Sequence, residues 1–161
     1  MSPSAQKTLV FGSVSGALWS FAPGLLSGLF YKDGQYDARS TGLCITVFVA
    51  GILTGIAVSF TLRPLLKTRG RWMPVLLGLC SLPLGAFIFG VIISVVHLLV
   101  KSVSGTTYTF VEYGFRPISA GADYALYSAI SIFALVLYPL SITTTFRLRR
   151  IVHNQSTDPT A

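Results

Sequence analysis

Four apolar runs, roughly Thr8 to Tyr31, Thr41 to Leu62, Trp72 to Val100 and Tyr124 to Phe146, take up most of the chain, and none carries Asp, Glu, Lys or Arg in its interior. A helix needs about 20 apolar residues to cross the hydrocarbon core of a bilayer, and each run reaches that length. Lipid offers no hydrogen bonds to a backbone, so apolar runs of this length satisfy their own N–H and C=O groups as helices. The pattern predicts an all-α integral membrane protein: a single membrane domain, residues 1–161, built as a four-transmembrane-helix bundle.

Composition closes off other classes. Only 11% of the residues are charged, against about 25% in soluble domains, which excludes a water-soluble fold and a disordered chain. The formal charge of +7 comes from basic residues beside the ends of the apolar runs rather than along one element with interleaved aromatics. That distribution points to anionic lipid head groups and away from nucleic acid. Lys7 precedes the first run as in a secretory signal, but no small-x-small cleavage site follows, so the run reads as a retained helix.

The basic residues also set an orientation. Lys7, Arg63, Lys67, Arg69, Arg71, Arg147, Arg149 and Arg150 fall on one side of a four-span topology, and Lys32, Arg39, Lys101 and Arg116 on the other. An excess of Lys and Arg marks the cytoplasmic face. Both termini are therefore expected in the cytoplasm, with 147–161 as a cytoplasmic tail, in a plasma membrane such as the bacterial inner membrane. Arg63, Lys67, Arg69 and Arg71 form the expected anionic-lipid cluster, each near-surface charge contributing about 1 kcal/mol.

Tyr31, Tyr36, Tyr108, Tyr113, Tyr124 and Tyr127 gather near the proposed outer interface and Trp72 near the inner one, as belt residues do. Ser40 and Thr41 open the second run and Asp123 precedes the fourth, positions suited to helix caps. The outer loop, 101–121, is the longest connection. Its β-branched and aromatic residues partly alternate over Thr107–Phe115, which predicts a short extended element. Tyr108, Phe110, Tyr113 and Phe115 are its candidates for contacting a protein partner, because aromatic rings supply large buried area at interface cores. Immersion of the same rings in the head-group layer is the alternative. Pro23, Pro83 and Pro139 lie inside apolar runs and favour kinks.

Small residues recur every fourth position along the first run, at Gly12, Gly16, Ser20, Gly24 and Gly28, and so share one face. Gly51, Gly55 and Ser59 repeat the spacing in the second run, and Ala86, Gly90 and Ser94 in the third. Between helices in lipid there is no hydrophobic drive to associate, so small-x-x-x-small stripes matter by letting backbones approach, in the manner of a glycine zipper. The stripes serve either packing between the first two helices or contact with another copy or subunit.

Reactive chemistry is sparse in the apolar layer. Intramembrane ionisable residues mark ion pathways and proton relays, and none falls inside the runs except His97, near the outer end of the third. Cys44 and Cys80 are expected at different depths, too far apart for a disulfide. No metal-ligand motif occurs, and the serines lack a base in the same layer. The expectation is a protein with no catalytic residues, no metal and no cofactor. It is read as an accessory or assembly subunit that meets other membrane subunits, or copies of itself, through small-residue helix faces. The alternative is an oligomeric channel or uncoupled small-solute transporter lined by Ser13, Ser15, Ser20, Thr54 and Ser59, since a pore needs polar groups but not charge. A lipid-modifying enzyme would need Glu112, Arg116, Asp123 and His97 to converge at the outer surface.

Overall fold

The computed structural model is all-helical, with α1 (Pro3–Leu29), α2 (Ala38–Leu66), α3 (Met73–Val103), α4 (Phe110–Ile130) and α5 (Ala134–Asn154). It describes residues 3–29, 38–67, 70–103, 105 and 109–154, with side-chain surroundings for 5–20, 44–67, 70–99, 102–103, 105, 109 and 113–153. No strand occurs among the described residues.

Among the described residues two stretches, Cys44–Leu66 and Met73–Leu99, are long and apolar enough to cross a membrane. α4 and α5 add a third only if the two, bent by 100° between Ile130 and Ala134, count as one span. Such helices are consistent with an integral membrane protein. The second half of the first apolar run lies outside the residues whose surroundings are described.

Packing partners fix the directions of the helices. Gly12 of α1 approaches Gly55 and Ile56 of α2, and Gly16 approaches Gly51 and Ile52, so the two helices run antiparallel. Gly85 of α3 faces Thr54 and Val58 of α2, while Leu77 joins Leu62 and Leu66 in a cluster at the end where α2 hands over to α3. Leu148 and Val152 of α5 complete that cluster, with Phe11, Val58 and Met73 packed against it. α4 folds back along the C-terminal half of α3, where Gly121 meets Phe87, Gly90 and Val91.

Three parts of the chain differ from the sequence reading. The expected outer loop, 101–121, is mostly helix: α3 runs on to Val103 and α4 starts at Phe110. Partial alternation over Thr107–Phe115 suggested an extended element, but Pro117 and Gly121 are buried and Ala125 and Ser128 half-buried, a three-to-four-residue repeat that belongs to a helix packed on one side. The fourth apolar run, Tyr124 to Phe146, is not one straight helix, because it breaks at Ser131–Phe133. There Ser131 N donates to Tyr127 O at 3.0 Å and closes α4, while Ala134 N donates to Ser131 O at 2.9 Å and opens α5. Serine suits a helix start, but neither Gly nor Pro marks the spot, so an apolar run was read straight through it. Lastly, the tail expected from residue 147 is helical to Asn154.

Capping moves with these boundaries. Asp123 lies in the interior of α4 rather than ahead of a helix, and α2 begins at Ala38, which takes Ser40 and Thr41 inside it.

Candidate functional site

The first two small-residue stripes meet each other within the chain at Gly12, Gly16, Ser20, Gly51 and Gly55. A Cβ added to Gly12 would stand 2.8 Å from Ile56 Cα, and one added to Gly55 would stand 2.6 Å from Gly16 Cα. One added to Gly16 would fall on the Gly51 carbonyl, and one added to Gly51 on the Ser20 side chain. These distances lie inside van der Waals contact, so α1 and α2 touch backbone to backbone. Ser20 is buried in this seam and donates to Ala17 O at 3.0 Å. Gly24 and Gly28 lie in α1, outside the residues with described surroundings. Ser59 is buried on α2.

The third stripe divides between neighbours. Gly90 is buried against α4, where an added Cβ would stand 2.8 Å from Ala120 O and 3.0 Å from Gly121 Cα, while Ala86 and Ser94 are half-buried. Two further close approaches were missing from the sequence reading: Gly78 backs onto Ile142 of α5 and Gly121 onto Phe87 and Val91, while Gly85 is in ordinary contact with α2. Gly78 and Gly85 form a seven-residue repeat on α3, a signal present in the sequence. Gly121 belongs to a Gly114–Gly121–Ser128 repeat that went unread because the segment was taken for a loop.

α3 and α5 are also joined by hydroxyls. Ser81 Oγ and Ser141 Oγ stand 2.6 Å apart, and each lies within reach of the Gly78 carbonyl, at 3.0 and 2.8 Å. Two hydroxyl protons serve three short contacts, so one hydroxyl donates to the carbonyl while the other donates to its neighbour's oxygen. Thr145 Oγ1 adds a bond to Ser141 O at 2.9 Å. Thr54, buried at the α2–α3 seam, has an Oγ1 with no hydrogen-bond partner among the described residues.

One edge of the exposed side of α4 is polar, beside exposed Phe115, Ile118, Leu126 and Ile130. Arg116, Asp123 and Tyr127 are exposed and Ser119 half-buried, and their spacing of three, four and four residues places them on one edge, opposite buried Pro117 and Gly121. The depth of this edge follows from its flanks. Gly121 touches Phe87 and Gly90, and the Tyr124 ring meets Phe89 edge-on with centroids 5.8 Å apart. Asp123 therefore stands level with the middle of Met73–Leu99, the most apolar helix of the fold. Tyr124 and Tyr127 stand there too, rather than at the outer interface where the sequence placed them. Ser119 Oγ donates back to Arg116 O at 3.1 Å.

The remaining candidates are dispersed. Tyr113 and Phe115 are exposed on α4, not on a loop; Phe110 opens that helix, and its surroundings, like all of Tyr108, lie outside the described residues. In the basic cluster Arg63 is half-buried, Lys67 and Arg71 are exposed, and Arg69 falls outside the described residues. Ser13 is half-buried and bonds back to Leu9 O, Ser20 fills the α1–α2 seam and Thr54 the α2–α3 seam. Cys44 and Cys80 form no disulfide. Among the described residues no group of three His, Cys, Asp or Glu side chains is placed to hold a metal ion.

Comparison of the chain with protein-family models, with curated proteins and with solved structures returns no match.

Proposed function

We propose that this chain is a noncatalytic integral membrane subunit that assembles laterally with a larger membrane complex, and that the Arg116–Ser119–Asp123–Tyr127 edge of α4 makes the contact. One observation supports this above the others: α4 lies against the middle of an apolar span and turns the Asp123 carboxylate away from it, with the Arg116 guanidinium about two turns nearer the start of α4. A charged side chain at the centre of a bilayer costs about 2.5–3.5 kcal/mol on insertion scales, so such a face is covered by protein or water rather than lipid. The docking surface is thus α4, because the small-residue stripes of α1 and α2 already meet each other within one protomer.

In this reading α1 to α4 form the four-helix membrane bundle, and the end carrying Lys7, Arg63, Lys67, Arg69 and Arg71 faces the cytoplasm of a cell with a plasma membrane of the bacterial type, in contact with anionic lipid. A second reading draws on the same edge. Several copies arranged with α4 inward would line a water-filled path with Ser119, Asp123 and Tyr127, giving a channel or uncoupled transporter.

The test is native-state mass after extraction of the full chain from its own membrane in a mild detergent. The wild type should migrate in an assembly well above its 17.3 kDa chain mass, and Asp123→Leu with Arg116→Leu should release it. Migration of the wild type as a lone monomer refutes the subunit reading. A pure homo-oligomer that conducts ions or solutes in liposomes favours the channel.

A further inference from the structure

We propose that α5 lies in the plane of the membrane, and that its Arg147 and Arg150, with Lys67 and Arg71 of the adjoining α2–α3 turn, hold the head groups of anionic phospholipids. The direction of α5 comes from its partners. Ile142 sits against Gly78 and Ser141 against Ser81 on α3, yet Leu148 and Val152, about two to three turns farther on, share one buried cluster with Leu62, Leu66 and Leu77 at the same end of the bundle. Advancing along α5 moves across from α3 to α2, not along either of them. The 100° bend from α4 agrees with this course.

The elbow supplies a second indication. Among the described residues, the N–H groups of Ile132 and Phe133 meet no acceptor. Ile132 borders an open groove of about 510 Å³ that is also lined by Ala129, Ile130, Ser131, Ala134, Leu135 and Tyr138. Non-helical backbone at membrane depth is tolerated only within protein or beside water. An elbow near the interface has that water, and an interfacial helix sinks only about 5–10 Å below the head groups.

Charge identifies the occupant. Arg147, Arg150, Lys67 and Arg71 are all exposed. The five carboxylates of the sequence are Asp33 and Asp37, which fall in the α1–α2 connection; Glu112 and Asp123, on α4; and Asp158, beyond the described residues. None lies in the described part of this end. Trp72, 72% exposed on the same turn, is a residue type that settles at the head-group level. A cationic rim around a helix lying along the bilayer suits lipid phosphate in particular.

The experiment uses the full chain in nanodiscs of phosphatidylcholine with or without phosphatidylglycerol. Spin labels at Val136, Leu140 and Thr143 should report nearly equal depth, whereas a crossing helix would separate the first and last by about 10 Å. In a Trp19→Phe background, brominated phosphatidylglycerol should quench Trp72 better than brominated phosphatidylcholine, and Arg147→Gln with Arg150→Gln should reduce that preference about five-fold per charge. Depths that change steadily along α5, or a preference untouched by the two substitutions, would overturn the proposal. Abolition of the preference by inorganic phosphate at matched ionic strength would also overturn it, by showing a site for a soluble anion.

Discussion

Gly90 of α3 and Gly121 of α4 meet so closely that a Cβ on the first would stand 3.0 Å from the Cα of the second. This approach sets α4 against the centre of an apolar helix and brings Asp123 to that depth, so the docking reading depends on it.

Gly90→Leu or Gly121→Leu should therefore force the two helices apart, at a cost of about 1–3 kcal/mol or more. Gly114 has open space around its Cα, and Gly114→Ala should stabilise by about 0.4–1 kcal/mol through the lost freedom of the unfolded chain. Reversible unfolding in bicelles compares the three. Equal effects at Gly90 and Gly114 would contradict the close seam.

In the α1–α2 seam the tolerance is smaller still. Gly16→Ala and Gly55→Ala each place a methyl group on backbone of the opposing helix, which cannot rotate aside as a side chain does. Both should destabilise by about 1–3 kcal/mol, and Gly51→Ala should cost as much, because its methyl group meets Ser20 Cβ, which no rotamer moves, and the Gly16 carbonyl oxygen at 2.8 Å. The same unfolding assay ranks the set.

Two buried hydroxyls should respond in opposite senses. Ser141→Ala removes its bonds to Ser81 and Gly78, and should cost about 0.6–1.7 kcal/mol, the range for hydrogen bonds between membrane helices. Thr54→Val removes an Oγ1 without a partner while keeping the shape, and should be neutral or stabilising. A loss of stability in Thr54→Val would mean that the hydroxyl has a ligand.

At the elbow, the Ile132 and Phe133 amides should exchange with deuterium faster than those of Val136 and Leu137, which donate to Phe133 O at 3.0 and 2.9 Å. Amide-resolved exchange measures this. Equal protection across 132–137 would show a continuous helix.

The sequence exposes helicity plainly, because length and hydropathy leave an apolar run no other state in lipid. The second and third runs match helices able to span, and Gly12, Gly16, Gly51 and Gly55 fall at close contacts. What escaped it was the course of the chain after Val103. Thr107–Phe115 has β-branched and aromatic residues that partly alternate, and the helical period of burial shows only from Pro117 onward. Ser131–Phe133 has no Gly or Pro, so a 100° turn leaves no mark in hydropathy. An apolar run that starts at Tyr124 suits Asp123 to a capping role. With α4 starting at Phe110, the same carboxylate stands in mid-helix, which turned an end group into the main candidate for contact.

The most direct test compares oxygen and water-soluble relaxant access at spin labels on Ser119→Cys, on the polar edge, and Ile118→Cys, on the neighbouring exposed face, with the chain extracted by polymer together with its native surroundings. The docking account predicts a label at 119 that is immobilised and shielded from both relaxants, beside one at 118 open to oxygen. A label at 119 as open to oxygen as that at 118 would place this edge against lipid and contradict it.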